Sequence, residues 1–410
     1  MRIVIVSIYY KPEPVPKPHE LAEGLAARGH HVTVLTGFPN YPSGRFYPGF
    51  ALRPWQSSLI NGVRVVRVPL YPDHSANALL RATQFMTFFL SALLLGPLLC
   101  GPADIVYVWG NPPTSGVAGW VISRLRRARF VYGVHDLWPE LALASGMIRR
   151  PLLAGAIDAI ECFVLRRADL VLAISDGFRR RILDKGVPTE RVHVIPHWAD
   201  GEIYRPLERD DALAHRLGWS KRFVVLYAGN IGRPQGLETL IQAAGLLQKS
   251  RPELLVALMG DGVERERLKA FVAQRHIENV VFIDPQPPHQ VAVHSSLAHV
   301  LYVGLVTNTL SSLTIPSKVQ TYLACGRSIL CNVPGETSAL IERGRLGVNC
   351  KSNTPESIAE GIQVMFALSQ DDRASMGQRA REVFTRDFSM NALLAKHESL
   401  MGALVLARPS

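Results

Sequence analysis

The sequence lacks most of the signatures that would declare its chemistry. Its 410 residues contain no GxxxxGK(S/T) phosphate loop, no HExxH, no GxSxG elbow and no GxGxxG after the first strand. Those absences remove the commonest ATPase, zincin, hydrolase and NAD(P)-dinucleotide readings. Cysteine is scarce: Cys100, Cys162, Cys325, Cys331 and Cys350 form no CxxC pair, are odd in number and lie mostly in apolar contexts. They read as reduced core residues of a cytosolic protein, not as a disulfide scaffold. His289, His294 and His299 recur every five residues, which does not place them on one helix face, so no metal site is expected. The chain opens directly into a strand, Ile3-Val4-Ile5-Val6, without a charged and then apolar leader, and the reading expects no export.

What is present is globular. Apolar residues make up 48% and charged residues 19%, and 410 residues suffice for two ordinary cores. The formal charge is +11, and it is uneven: residues 1–205 carry 23 Lys and Arg against 15 Asp and Glu, the rest 22 against 19. A basic excess points to phosphate, nucleic acid or an anionic membrane without choosing among them. Several basic runs (Arg124/Arg126/Arg127/Arg129, Arg149/Arg150, Arg166/Arg167, Arg179/Arg180/Arg181) fall in helical patterns, where such runs are ordinarily solvated faces. Aromatics are not interleaved with them as on a single-strand platform, so no nucleic acid is expected. Residues 85–100 are almost wholly apolar, yet shorter than the ~20 residues that span a bilayer. A buried or partly exposed helix is expected there, and an interfacial one would gain from the neighbouring arginines.

In the first half, strand patterns at 2–8, 32–36, 63–68, 104–109, 129–134, 170–174 and 192–195 alternate with helical ones near 19–28, 79–99, 114–126, 151–167 and 176–184. After a break near 195–207 the cycle restarts, with strands at 223–228, 254–259, 280–283, 298–302 and 328–332, and a final helical stretch at 372–407. Continuous Val/Ile-rich strands between helices predict α/β architecture with two doubly wound, Rossmann-like parallel sheets. The expected domains are 1–203, 204–380 and a C-terminal helix, 381–410, packing back on the first. In such sheets ligands bind beyond the carboxyl ends of the strands.

Three stretches carry candidate chemistry. Ala228-Gly229-Asn230-Ile231-Gly232-Arg233-Pro234-Gln235-Gly236 is a glycine-rich strand-to-helix loop that lets backbone N–H groups approach a diphosphate; its plainer reading is a tight turn. Ile315-Pro316-Ser317-Lys318 opens a helix, with Pro and Ser set as for N1 and N-cap roles. A lysine in a first turn opposes the helix dipole, so it makes better sense facing a bound phosphate than in solvent. Val134-His135-Asp136-Leu137-Trp138-Pro139-Glu140 follows a strand, where a polar His-Asp pair is a site candidate or a core histidine bonded to a loop carbonyl.

The opening MRIVIVSIYYKPEP, then LAEGLAARGHHVTVLTGFPNYPSG, VHDLWPE, VIPHWADGEIYRPL, YAGNIGRPQGLETLIQAA, LMGDGVERERL and IPSKVQTYLACGRSIL resemble a family 4 retaining glycosyltransferase with the GT-B fold. The similarity is to the bacterial O-antigen, capsule and colanic acid branch that includes N-acetyl-L-fucosamine transferases. It implies two domains facing across a cleft, no metal cofactor, and transfer from a nucleoside diphosphate sugar, UDP expected, to a polyprenyl-diphosphate-linked glycan. The place of work it implies is the cytoplasmic face of the membrane. Carried over residue by residue, His135 and Lys318 are the catalytic candidates. His135 would meet the donor sugar, and Lys318 would neutralise the leaving diphosphate. Gly229, Asn230, Gly232, Arg233, Gln235, Gly260, Ser317 and Thr321 would line the donor nucleotide site, with Ile283 and Asp284 by the base. Pro14, Lys17, Asp136, Trp138 and Glu140 would lie on the acceptor side.

The chain also departs from the family. Leu313 and Thr321 stand where two glutamates are usual, Asn230 and Gln235 where an Arg/Lys pair is usual, and Glu13-Pro14-Val15-Pro16-Lys17-Pro18 replaces a Gly-Gly loop. A catalytically silent sugar-nucleotide-binding or partner-activating subunit therefore stands as the alternative.

Overall fold

A computed structural model describes residues 1–407 other than 76, 111, 145–149 and 308–309, and in it the strand patterns become two separate sheets. Arg149 of the basic runs lies outside the described residues. Contacts divide the chain into Met1–Ile195 with Leu394–Ser410, and Pro196–Leu393. The boundaries expected from sequence are 203/204 and 380/381. The cuts move to 195/196 and 393/394 because the Ala199 N–H bonds Phe388 O at 3.2 Å and Arg381 Nη1 bonds Tyr204 O at 3.1 Å, tying the intervening stretch to the second unit.

The first unit runs β1 (Arg2–Val6), α1 (Pro16–Ala27), β2 (His31–Gly37), β3 (Gln56–Ile60), β4 (Val63–Val68), α2 (Ala78–Leu99), β5 (Ile105–Trp109), α3 (Pro113–Arg126), β6 (Arg129–Val134), α4 (Glu140–Ala144), α5 (Pro151–Arg167), β7 (Leu170–Ala173), α6 (Asp176–Asp184) and β8 (Val192–Val194). Its strand order is β3-β4-β2-β1-β5-β6-β7-β8, parallel except for β3. Ile3 pairs with Val32 on one side and Ile105 on the other, so chain order reverses between β1 and β5. Strands such as Ile105–Trp109 are buried at every position, which is why they read as unbroken apolar runs. β3 was not anticipated, because its alternating half-exposed QSSLI lacks such a run.

Helix α2 is 22 residues long, as the helical pattern near 79–99 predicts, and by length and composition it could cross a membrane. It is two-faced. Gln84, Phe88, Ala92 and Gly96 are buried, whereas Leu79, Met86, Leu90, Leu94 and Leu98 are exposed.

The second unit runs α7 (Asp211–Arg216), β9 (Phe223–Ala228), α8 (Leu237–Leu247), β10 (Leu254–Met259), α9 (Arg265–Gln274), β11 (Val280–Ile283), α10 (Pro288–Leu297), β12 (Val300–Gly304), α11 (Ser317–Ala324), β13 (Ile329–Asn332), α12 (Glu336–Gly344), β14 (Gly347–Asn349), α13 (Pro355–Ala367) and α14 (Gln370–Val383). Its strand order is β11-β10-β9-β12-β13-β14, all parallel, with the reversal between β9 and β12. The last stretch is two helices, α14 and α15 (Met390–Leu406), separated by a π turn at Phe384–Phe388. The C-terminal part of α15 straps the first unit: Glu398 accepts from Arg28 at 3.2 Å, and Lys396 Nζ bonds Val194 O at 2.8 Å.

A buried ion pair fixes the loop after β6. Glu161 is 1% exposed, accepts the Trp138 N–H at 3.3 Å and pairs with Lys185, which also bonds Trp138 O at 2.9 Å. Burial pushes the Glu161 carboxyl up to about 7 even so, with Lys185 opposing. Removing one partner of such a pair strands a charge. Lys185→Met is expected to lose about 3–5 kcal/mol of unfolding free energy in denaturant titration. Lys185→Met combined with Glu161→Gln should recover most of it; an undiminished single variant would contradict the role given to the pair.

Candidate functional site

The loops that leave β9 and β10 are locked backbone to backbone. The Gly229 N–H bonds Met259 O at 2.9 Å, the Ile231 N–H bonds Asp261 O at 2.7 Å, and the Glu264 N–H returns to Ile231 O at 3.1 Å. The approach is too close for a side chain. A Cβ on Gly260, whose φ is +137°, would stand 2.0 Å from Gly229 O, and one on Gly262 would stand 2.3 Å from Ile231 O. Val306 N–H, in the loop after β12, bonds Pro234 O at 2.8 Å. The glycine loop therefore sits at the switch point of the sheet, where doubly wound folds take ligands.

Lys318 reaches this loop from the first turn of α11. Tyr322, one turn later, clamps the helix to the end of β9, because its hydroxyl accepts the Ala228 N–H at 2.9 Å. Lys318 Nζ lies over the Tyr227 ring, 3.9 Å from its centroid, and donates to the Tyr227 hydroxyl at 2.5 Å. That hydroxyl donates onward to Asn230 O at 2.6 Å. Nζ and Cε are within 3.7 Å of where a Gly229 Cβ would stand. No carboxylate answers this ammonium among the described residues, and desolvation pushes its pKa down to about 7. The position one turn on, which could have supplied a charge, holds Thr321. The site is thus a desolvated basic group held over a glycine loop.

The structure gathers Gly229, Asn230, Gly232, Gln235, Gly260 and Lys318 at one edge, but two expectations change. Arg233 does not turn to the loop: its side chain is 85% exposed and bonds Glu264 at 3.1 Å, which also holds Arg267. The Gly232 N–H donates to Gln235 Oε1 at 3.1 Å, so Gln235 takes the amide expected to face a diphosphate. Ser317 is the first helical residue and Pro316 occupies the cap position, the reverse of the expected roles, and no side chain caps this helix. Ile283 ends β11, and its carbonyl accepts the Gly260 N–H at 3.0 Å. Asp284, next to it, is exposed and paired with Arg265 at 2.5 Å. Leu313 lies in a short 3-10 turn, Ser311–Leu313.

In the first unit, His135 follows β6 and stacks flat on Trp109, with ring centroids 3.5 Å apart and planes within 8°. Burial raises the Asp136 carboxyl above its usual range. Trp138 is buried and held by the Glu161–Lys185 pair, and Glu140 opens α4. Lys17 pairs with Glu20 at 2.7 Å, and Pro14 is exposed. Beside Pro14, Glu13 is 2% exposed and accepts the N–H groups of Tyr10, Asn40 and Tyr41 at 3.0, 2.8 and 2.9 Å. It is the organising residue of that loop, and burial raises its carboxyl to about 7.

Sequence reasoning missed Tyr227, Trp109 and Glu264. Tyr227 left a usable signal, since a tyrosine at the end of an apolar strand must find a partner for its hydroxyl.

Comparison with known proteins gives the same picture. Residues 16–198 match the family described as glycosyl transferase 4-like domain, and residues 210–383 match glycosyl transferases group 1. A protein of Escherichia coli (strain K12) named as the colanic acid biosynthesis glycosyl transferase WcaI is 29% identical over 345 residues, 80% of this chain and 82% of its own. A Pseudomonas aeruginosa protein named as the glycosyltransferase WbjE is 24% identical over 342 residues, 82% of this chain and 84% of its own. Among solved structures, Anabaena Alr3699/HepE in complex with UDP and glucose superposes with a TM-score of 0.70 at 17% identity, covering 98% of this chain and 100% of that one. WaaG, a glycosyltransferase involved in lipopolysaccharide biosynthesis, superposes with a TM-score of 0.67 at 16% identity, covering 97% and 99%.

The lysine pKa sets the sign of a pH effect. An anion binds the ammonium form and raises its pKa, so affinity falls as pH rises above the free value near 7. Calorimetric titration with a nucleoside diphosphate should show affinity dropping by up to about ten-fold per pH unit between 7 and 9. Lys318→Arg should flatten that slope, since a guanidinium stays charged. An unchanged slope in that variant would place the titrating group elsewhere.

Proposed function

The chain belongs to the glycosyltransferases that join a glycosyl transferase 4-like domain to a group 1 domain and serve bacterial polysaccharide synthesis, and from that premise we propose the finer activity. It transfers a sugar, an N-acetylated deoxyhexosamine by the resemblance, from UDP to a polyprenyl-diphosphate-linked glycan with retention. The observation that carries the donor class is Lys318, a buried lysine with no carboxylate partner among the described residues, beside a glycine loop at a sheet switch point.

When the bond from the sugar to the diphosphate oxygen breaks, charge accumulates on the leaving group. An ammonium already stripped of water gains most at that moment, because little solvent must reorganise. The diphosphate restores the full charge of Lys318, and the uracil lies by Ile283. A fixed lysine supplies the positive charge, so no metal is required. His135 contacts the donor sugar, and its stacking on Trp109 fixes the plane in which the imidazole is presented.

The membrane reading rests on α2. Its exposed ridge of Leu79, Met86, Leu90, Leu94 and Leu98 carries no acidic residue, while Arg81 stands in the first turn and Arg126 bonds Pro97 O near the last. Cations at both ends disfavour self-pairing, because either orientation of two copies brings like charges together. They favour anionic lipid at roughly 1 kcal/mol for each residue near the surface. The opposite face is packed in the fold, which supports an interfacial helix over a spanning one. By the resemblance the enzyme works at the cytoplasmic face, and the exposed ridge of α2 supports peripheral attachment there.

The test is donor-dependent UDP or GDP release across a panel of nucleotide sugars, with a polyprenyl-diphosphate glycan in phosphatidylglycerol vesicles. Turnover with a UDP-sugar, insensitive to EDTA and lowered about 100-fold in Lys318→Met, is expected. Zwitterionic vesicles should lower activity and binding together. Nucleotide binding without turnover would favour a silent subunit, the reading suggested by Leu313 and Thr321, and neither binding nor turnover would overturn both.

A further inference from the structure

The second unit has a basic cavity at the opposite edge of its sheet. Its volume is about 330 Å³, and it opens where β9, β12 and β13 begin, lined by Arg209, Arg327, Arg373, His299, Ser220 and Gln370 among others. The donor loop follows the far end of β9, six residues away, or about 20 Å at the rise of a strand. The two places are therefore distinct.

Three guanidinium groups and an imidazole converge here. Each arginine is aimed by backbone carbonyls: Arg327 Nη2 bonds Ser296 O at 2.7 Å, Arg209 Nη1 bonds Leu297 O at 2.9 Å, and Arg373 Nη1 bonds Met365 O at 3.0 Å. These bonds leave further N–H donors on each fork. The Val224 N–H donates to His299 Nδ1 at 3.1 Å, so the ring proton sits on Nε2 and is a donor as well. His299 lies against the Phe223 ring, and Arg373 stands 5.2 Å from the centroid of the same ring.

The carboxylates on the lining elements do not balance this charge. Asp211 bonds Arg209 at 3.0 Å but is 86% exposed. Asp372 is engaged by the N–H and hydroxyl of Ser369 at the cap of α14, and Asp371 faces solvent. Gln370, Arg373 and Ala374 place one side of the first turns of α14 on the cavity wall. Burial, then Arg209, Arg373 and Arg327, push His299 down to about 4, and burial lowers Arg327 too, as expected of cations crowded without a counter-charge.

We propose that this cavity is an accessory binding site for a phosphate group, free or carried by a small polar molecule of hexose size. The cavity exceeds a bare phosphate, and its remaining lining, Ser296, Ala298, Gly326, Ser328 and Ala374, is small and leaves room for such a body. Arginine forks match phosphate oxygens in geometry as well as charge.

The experiment titrates the full chain with inorganic phosphate, and separately with glucose 6-phosphate, against chloride at matched ionic strength, following the His299 ring resonances by NMR. A saturable shift with phosphate that persists in Lys318→Met, and is weakened at least about ten-fold in Arg327→Gln and Arg209→Gln, is expected. Tighter binding of the sugar phosphate would identify the carried form, and equal binding the free ion. Arg209 is partly exposed, so its variant keeps the test valid should Arg327→Gln fail to fold. A His299 signal unmoved by either ligand, or moved equally by chloride, would overturn the proposal. Survival of the donor activity in that case would leave the glycosyltransferase reading intact.

Discussion

One buried cation organises the donor edge of the second unit. Lys318 is held against the Tyr227 ring and hydroxyl, with no carboxylate paired to it among the described residues, above a loop whose glycines bring two strand ends into backbone contact. Each part constrains the next. Gly260 cannot take a Cβ because Gly229 O is there, Tyr227 must be a hydroxyl-bearing ring because it supports both Lys318 and Asn230, and Tyr322 must hold α11 to β9 for Lys318 to arrive at all. Desolvation lowers the pKa of the lysine and makes its charge responsive to a nearby anion, which suits the proposed role beside a leaving diphosphate.

The charge of +11 is more structured than its size suggests. Part of it brackets the exposed leucine ridge of α2, where Arg81 and Arg126 stand at the two ends of a helix free of acid. Part is neutralised locally, as when Arg233 and Arg267 share Glu264 or Lys185 holds Glu161. A third part, Arg209, Arg327 and Arg373, is gathered at the amino-terminal edge of the second sheet without comparable compensation. Local pairing distinguishes structural arginines from those left to meet a ligand.

Much of the fold was legible because parallel strands buried on both faces leave unbroken apolar runs, as at Phe223–Ala228 and Leu254–Met259. The edge strand Gln56–Ile60 was not, since a half-exposed antiparallel strand carries only a weak alternation. At the site, Lys318 was legible from its unfavourable place in a helix first turn. Arg233 misled because its partner, Glu264, lies on the next strand-to-helix loop, a pairing that sequence spacing does not reveal. Gln235 likewise stood in for a charged residue on paper but serves the Gly232 amide in the fold. Residues whose role depends on a neighbour brought in by topology were the ones missed.

The central claim is that Lys318 is a desolvated cation awaiting an anion. Its ammonium titration, followed at the side-chain Cε by NMR with and without UDP, tests this most directly. The account predicts a free pKa near 7 that rises on adding UDP. An ordinary lysine value in both states, or no change on adding UDP, would contradict it.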